Sequence, residues 1–282
     1  MSPLFIFIEP FRYFYSKIFF NFKLKKVDNS FFQLSKDSGF QAIKLPTDLI
    51  DSIIQNTINL TRNRTLNDKP YLKALTNIGD YKKDSPEMTL ATHPQLLKSV
   101  QNYLGHAPYL YDITALHSPA PLNESQNESE KYSGSQLFHR DGDDIRIVKV
   151  WILCSDVGHL NGPTTLLDAK LSEKISRKIR YKQESKISLE VEKNLNLSEN
   201  ELQKAIGNSG TIYATDTVRL LHFGSRTDLS SERLVLMFHY VSFYSCYFRR
   251  FAKRGKRKFL HPSINYSELD PYQRLALRGY LN

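Results

Sequence analysis

Cysteine is scarce in this sequence: two residues, Cys154 and Cys246, in a chain of 282. That rules out a disulfide scaffold or a cysteine-rich zinc module and fits a reducing compartment. No apolar run is long enough to cross a bilayer, because Glu9, Pro10, Arg12 and Lys17 interrupt even the aromatic first segment. A basic start, an apolar stretch and a small-residue cleavage site do not occur in that order, so no secretory signal is expected. No internal repeat is visible. The hydrophobic fraction of 40% excludes fibrous and wholly disordered classes and suffices for a sizeable core.

The middle of the chain lacks a charge excess. The net charge of +10 divides into +4 for residues 1–26, +7 for residues 243–282 and −1 for everything between. A nearly neutral middle is a poor nucleic-acid surface, so contact with polyanions or a membrane belongs to the ends. The expected setting is soluble and cytoplasmic, with peripheral membrane contact open to the basic termini.

Three parts are expected. Residues 1–26 form an aromatic, basic arm, readable as an interfacial helix or as a segment packed on the domain's own surface. Residues 27–248 form the main domain. Residues 249–282 form a basic extension with seven Lys or Arg in the ten residues 249–258, suited to an anionic ligand or a lipid headgroup, or simply solvated.

Within the main domain, Pro46-Thr47-Asp48 followed by Ile50, Ile53, Ile54 and Ile58 predicts a helix over about 48–62. His93-Pro94 with Leu96, Leu97, Val100 and Leu104, closed by Gly105, predicts a second. Pro108 to Leu116 reads as a strand. Residues 121–135 are too polar to pack. Strands then follow at Ile145–Cys154, Pro163–Leu167, Gly210–Thr215 and Arg233–Phe243. Leu171 to Ile206 is charged and helix-prone, with a capping box at Ser198-Glu-Asn-Glu201. Early helices followed by many short strands indicate an α+β chain with a closed or sandwiched β architecture. A short capped helix is expected over 270–279.

The chemistry gathers around His139-Arg-Asp141. On a strand, residues two apart share a face, so an imidazole and a carboxylate there can converge on one metal ion. The pair alone is weak. A strand running into His222 offers a third ligand, and two histidines with one carboxylate form the facial set that holds Fe(II) with positions left open. Arg233 opens the next strand and can clamp a distal carboxylate through two parallel hydrogen bonds. Lys149, on the strand face of Trp151, is a second candidate for a carboxylate; an edge-facing lysine is its alternative. Arg226 is the competing anchor, expected to be solvated in a turn. His93, His106 and His117 read as surface or capping residues, His159 as surface, and His239 as core.

These blocks, Gln136-Leu-Phe-His-Arg-Asp141, Val148 to Val157, Asn161-Gly-Pro163 and Gly210 through Arg233, resemble in order and spacing the phytanoyl-CoA dioxygenase-like Fe(II)/2-oxoglutarate-dependent oxygenases. The resemblance implies a double-stranded β-helix, the jelly-roll (cupin-like) barrel. It implies Fe(II) held by His139, Asp141 and His222, 2-oxoglutarate anchored by Arg233, and O2 as the oxidant. The activity implied is hydroxylation of a substrate C–H bond with release of succinate and CO2. The chain departs from the family after Asn161-Gly-Pro163, where Leu166-Leu-Asp-Ala-Lys170 leads straight into the insertion 171–206. That insertion and loop 121–135 are expected to flank the barrel mouth as lids. The rival readings are a β-helix that binds without turnover, and a membrane-surface or nucleic-acid-associated protein acting through its termini.

Overall fold

The computed structural model describes residues 26–62, 64, 69–121, 131–242 and 259–280, with residues 10, 11, 14, 18 and 24. The basic run 249–258, most of the aromatic arm and most of loop 121–135 lie outside the described residues.

Nine strands are found among the described residues: β1 (Phe40–Ile43), β2 (Lys73–Ala74), β3 (Pro108–Ser118), β4 (Val148–Leu153), β5 (Thr165–Leu166), β6 (Gln203–Lys204), β7 (Ile212–Thr215), β8 (His222–Phe223) and β9 (Arg233–Ser242). They form two antiparallel sheets, a large one in the order β1-β7-β4-β9-β3-β2 and a small one in the order β6-β5-β8. The helices are α1 (Thr47–Thr61), α2 (Pro86–Ala91), α3 (Pro94–Leu104), α4 (Ala169–Lys178), α5 (Leu189–Asn194) and α6 (Pro271–Leu277). The chain is an α+β double-stranded β-helix.

The large sheet is buried on both faces, which explains why its central strands read as continuous apolar runs. Val148, Val150 and Ile152 of β4, with Leu236, Phe238 and Tyr240 of β9, point to the outer layer. There they pack against Ile50, Ile53 and Ile54 of α1 and Leu96, Leu97 and Val100 of α3. The alternate residues, Trp151, Leu153, Tyr213 and Val235, pack inward against Leu166 of the small sheet and Leu220. Strand parity therefore aims Lys149, Arg233 and His239 into the barrel.

The helix signals act as expected. His93 caps α3, its Nδ1 accepting from the Gln95 amide at 3.3 Å, and Gly105 closes the helix at φ 74°. Asp270 caps α6 through the amides of Tyr272 and Gln273. The insertion is less helical than its composition suggested. It holds α4, α5 and one 3-10 turn at Glu199–Glu201, and Gln203–Lys204 is recruited as a strand of the small sheet. Its apolar side chains, including Ile175 and Ile187, form a core of their own with Phe138, Leu221 and Phe223. Beyond position 248, Leu269, Leu275, Ala276 and Leu277 are buried in the main core, so the extension contributes to the domain. His106 is buried and not at the surface.

Candidate metal centre

His139 and His222 are brought together by the backbone. They form an isolated antiparallel bridge in which each amide donates to the other's carbonyl at 2.9 Å, and cross-strand neighbours of this kind place their side chains alongside one another. The ring centroids are 4.3 Å apart. Asp141 follows two residues later. It does not get there by strand alternation, because Asp141 lies outside any strand. It is held by its amide, which donates to the Thr217 carbonyl at 3.0 Å, and by the Thr217 hydroxyl, which donates to Oδ2 at 2.5 Å. The expected continuous strand from 210 to 222 is likewise broken: β7 ends at Thr215 in the large sheet, a turn intervenes, and His222 opens β8 in the small one.

The resulting distances are short enough for one ion. His139 Nε2 lies 3.8 Å from Asp141 Oδ1, His222 Nε2 lies 3.9 Å from Asp141 Oδ2, and ligand atoms of all three lie within 4.8 Å of one another. Each histidine offers its other nitrogen to a carbonyl: His139 Nδ1 to Leu137 at 2.9 Å, His222 Nδ1 to Leu220 at 3.0 Å. A proton on Nδ1 satisfies that contact and leaves the Nε2 lone pair directed at the shared space. Burial, and then the neighbouring His222, bring His139 down to about 3; burial also lowers His222. Both imidazoles are thereby kept in the neutral form a metal requires.

Asp141 is ionised. Burial alone would raise its pKa, but Lys149, then His222 and His139, hold it well below the usual carboxylate range. Lys149 Nζ donates to Asp141 Oδ2 at 2.6 Å. This lysine points inward as strand parity requires, and its partner is the carboxylate of the candidate metal set. Beside it, burial and the adjacent Asp141 raise Asp143 to about 7, and Asp143 Oδ2 lies 3.7 Å from His239 Nε2.

Arg233 occupies the other end of the same cavity, whose volume is about 400 Å³ and whose wall includes both the triad and Arg233. Only 6% of Arg233 is exposed, yet among the described residues no carboxylate pairs with it. Its terminal nitrogens donate to the hydroxyls of Thr164 at 3.1 Å, Ser118 at 3.1 Å and Ser225 at 3.3 Å, while Nε has no hydrogen-bond partner. Burial brings its pKa down to about 10. A buried guanidinium surrounded by neutral hydroxyls is costly unless an anion completes it. Its sequence neighbour Glu232 is exposed and pairs with His117 at 3.0 Å.

Arg226, expected to be solvated, is structural. Both terminal nitrogens donate to Glu192 at 2.8 Å, Nε donates to the Gln136 carbonyl at 2.7 Å, and the guanidinium lies 3.5 Å from the centre of the Phe223 ring. It ties the insertion to the barrel.

Sequence reasoning missed the three hydroxyls around Arg233, and Thr217. Ser118 is legible once register is known, because it pairs directly with Arg233 across β3 and β9. Ser225 is harder. It adopts φ 60°, a strained conformation for serine, held by its amide to the Gly162 carbonyl at 3.0 Å. Gly162, at φ 62°, has no room for a Cβ: one would sit 2.7 Å from the backbone nitrogens of Arg226 and Thr227. The Asn161-Gly162-Pro163 turn thus supports the Arg233 pocket.

No family model and no curated protein matches the chain. Similar solved structures include HygX from Streptomyces hygroscopicus with nickel and 2-oxoglutarate bound, at 14% identity over 74% of this chain and 84% of that one, with a TM-score of 0.49. The non-heme alpha-ketoglutarate-dependent carbocyclase SnoK from nogalamycin biosynthesis is 13% identical over 74% and 82%, with a TM-score of 0.49. EctD from S. alaskensis in its apoform is 14% identical over 73% and 74%, with a TM-score of 0.45.

Proposed function

We propose that the protein is an Fe(II)- and 2-oxoglutarate-dependent dioxygenase, of the phytanoyl-CoA dioxygenase-like kind that its motif order resembles, and that it hydroxylates a C–H bond of its substrate. The observation that carries this reading is the pairing, in one cavity, of a two-histidine, one-carboxylate set with a buried arginine that lacks an anion. The donor set suits ferrous iron, and the orphaned Arg233 Nε suits the distal carboxylate of a keto diacid.

His139, Asp141 and His222 would hold the metal, and Arg233 the cosubstrate, aided by Ser118, Thr164 and Ser225. When bound, the iron with 2-oxoglutarate and O2 supplies the oxidising power, and succinate and CO2 are the co-products. The protein's own residues set the stage. Leu137 and Leu220 fix the imidazole tautomers through their carbonyls. Lys149 and Thr217 hold the Asp141 carboxylate ionised and oriented. We assign Lys149 to that orienting role because its ammonium lies on Asp141. Trp151, Val235 and Met237 line the cavity with apolar surface.

The test is consumption of 2-oxoglutarate by the Fe(II)-loaded protein in air, followed as succinate. Slow uncoupled turnover is expected without added substrate and none in Asp141→Ala. A wild-type protein that binds Fe(II) but produces no succinate supports the rival, a β-helix that binds without turnover.

A further inference from the structure

Eight residues of the insertion are fastened to the segment that carries the ligands. The Arg140 amide donates to the Tyr181 hydroxyl at 2.9 Å, and that hydroxyl donates to the Ser185 carbonyl at 2.8 Å. The Gln183 side-chain amide donates to the carbonyl of Asp141 and, at 3.1 Å, to that of Val218. The Ile187 amide donates to the Phe138 carbonyl at 2.9 Å. The Glu184 carboxylate lies over Gly142, so close that a Cβ there would clash with it. Residues 180–187 are therefore a fixed part of the cavity mouth, and they present Lys186 to it.

Five cationic side chains line this cavity, and three have an assigned task. Lys149 is paired with Asp141, Arg140 lies 3.5 Å from Glu173, and Arg233 awaits the cosubstrate. Lys186 and Lys69 remain, both exposed at the mouth and, among the described residues, neither has a hydrogen-bond or ion-pair partner for its ammonium. The nearby acids offset them only in part: Asp141 and Glu184 act on Lys186 from a distance, Asp141 is itself paired with Lys149, and Asp143 lies beside His239, so neither ammonium has a carboxylate in contact. Two ammonium groups facing one space repel each other and favour an anion between them. Desolvation, reinforced by Lys69 and opposed by Asp141 and Glu184, brings Lys186 down to about 8, which leaves it charged at neutral pH.

We propose that the mouth of this cavity binds an anionic group of the substrate, a phosphate, sulfate or carboxylate, between Lys186 and Lys69. The substrate class is then an anionic small molecule whose reacting carbon reaches the triad while its charge stays at the rim. What is done to the substrate rests on the oxygenase reading; the anion site does not.

The experiment titrates the full chain with inorganic phosphate by calorimetry at pH 7, with and without saturating 2-oxoglutarate, alongside anaerobic Fe(II) titrations of the same preparations. Phosphate is expected to bind at one site whether or not 2-oxoglutarate is present. Its Kd should rise at least tenfold in Lys186→Gln and in Lys69→Gln, and stay within twofold in Lys178→Gln, a control at an exposed lysine of α4. Competition by sulfate and by acetate ranks the three anion types. Wild-type affinity in the Lys186→Gln, Lys69→Gln double variant overturns the proposal. So does loss of binding in Arg233→Leu alone, which would place the anion on the cosubstrate anchor, and so does no phosphate binding at all. Normal phosphate binding in a chain that takes up no Fe(II) keeps the anion site and removes the oxygenase reading; normal Fe(II) and 2-oxoglutarate binding without a phosphate response does the reverse.

Discussion

Arg226 and Arg233 are seven residues apart in sequence, and their surroundings are opposite. Arg226 is saturated: a bidentate carboxylate, a carbonyl and an aromatic face take up its guanidinium. Arg233 is more deeply buried, touches only hydroxyls and leaves Nε unpaired. A chain that completes one arginine with Glu192 and surrounds the next with serine and threonine has a structural cation and a receptive one. The difference makes Arg233, not Arg226, the candidate anchor for an anionic ligand, and it can be attacked experimentally.

The largest effect is expected at the receptive arginine. Arg233→Leu should weaken 2-oxoglutarate binding by about 2 to 5 kcal/mol, while the ligand-free protein keeps its melting temperature or gains a few degrees, since an uncompensated buried charge is removed. Calorimetry and thermal unfolding of one variant separate the two. At the structural arginine the pattern inverts. Arg226→Ala should cost roughly 2 to 3 kcal/mol of stability with little change in 2-oxoglutarate affinity. A double-mutant cycle with Glu192→Ala should return strong coupling, and additivity would show that the pair is not tied as described.

Gly162→Ala sharpens the comparison from between the two, because Gly162 supports Ser225. A loss of about 2 kcal/mol in denaturant unfolding is expected from the positive φ and the backbone clash. A drop in 2-oxoglutarate affinity should accompany it as the Ser225 hydroxyl shifts.

The effect that leaves the ligand end untouched concerns a buried acid that mirrors the buried base. Asp216 accepts from the Tyr103 hydroxyl at 2.8 Å, and burial raises it to about 6. The folded state therefore holds a proton that the unfolded chain releases near pH 4. The corresponding stability is present below that pH and is lost as pH rises through 6, by roughly 3 kcal/mol. Asp216→Asn should flatten that part of the pH profile; an unchanged slope would show that Asp216 is ionised throughout.

The three candidate ligands and Arg233 could be picked out because their blocks occur in a recognisable order, and the structure brings all four into one cavity. The local geometry was less so. Alternation along a strand suggested the His139 and Asp141 pairing, whereas a cross-strand bridge sets the histidines and Thr217 sets the aspartate. Ser118, Thr164 and Ser225 come from three separate segments, and no periodicity in one of them announces the others. Gln183 was invisible for a similar reason: its insertion reads as a charged surface helix, and only the folded chain shows that its turn rests on the ligand segment.

One measurement goes to the centre of the account: anaerobic addition of Fe(II) and 2-oxoglutarate to the folded protein, followed by visible absorption. A metal-to-ligand charge-transfer band that saturates at one iron per chain, is abolished by His139→Ala or Asp141→Ala, and needs far more 2-oxoglutarate in Arg233→Leu is the predicted result. Correctly folded protein that shows no band at any concentration of either component would contradict it.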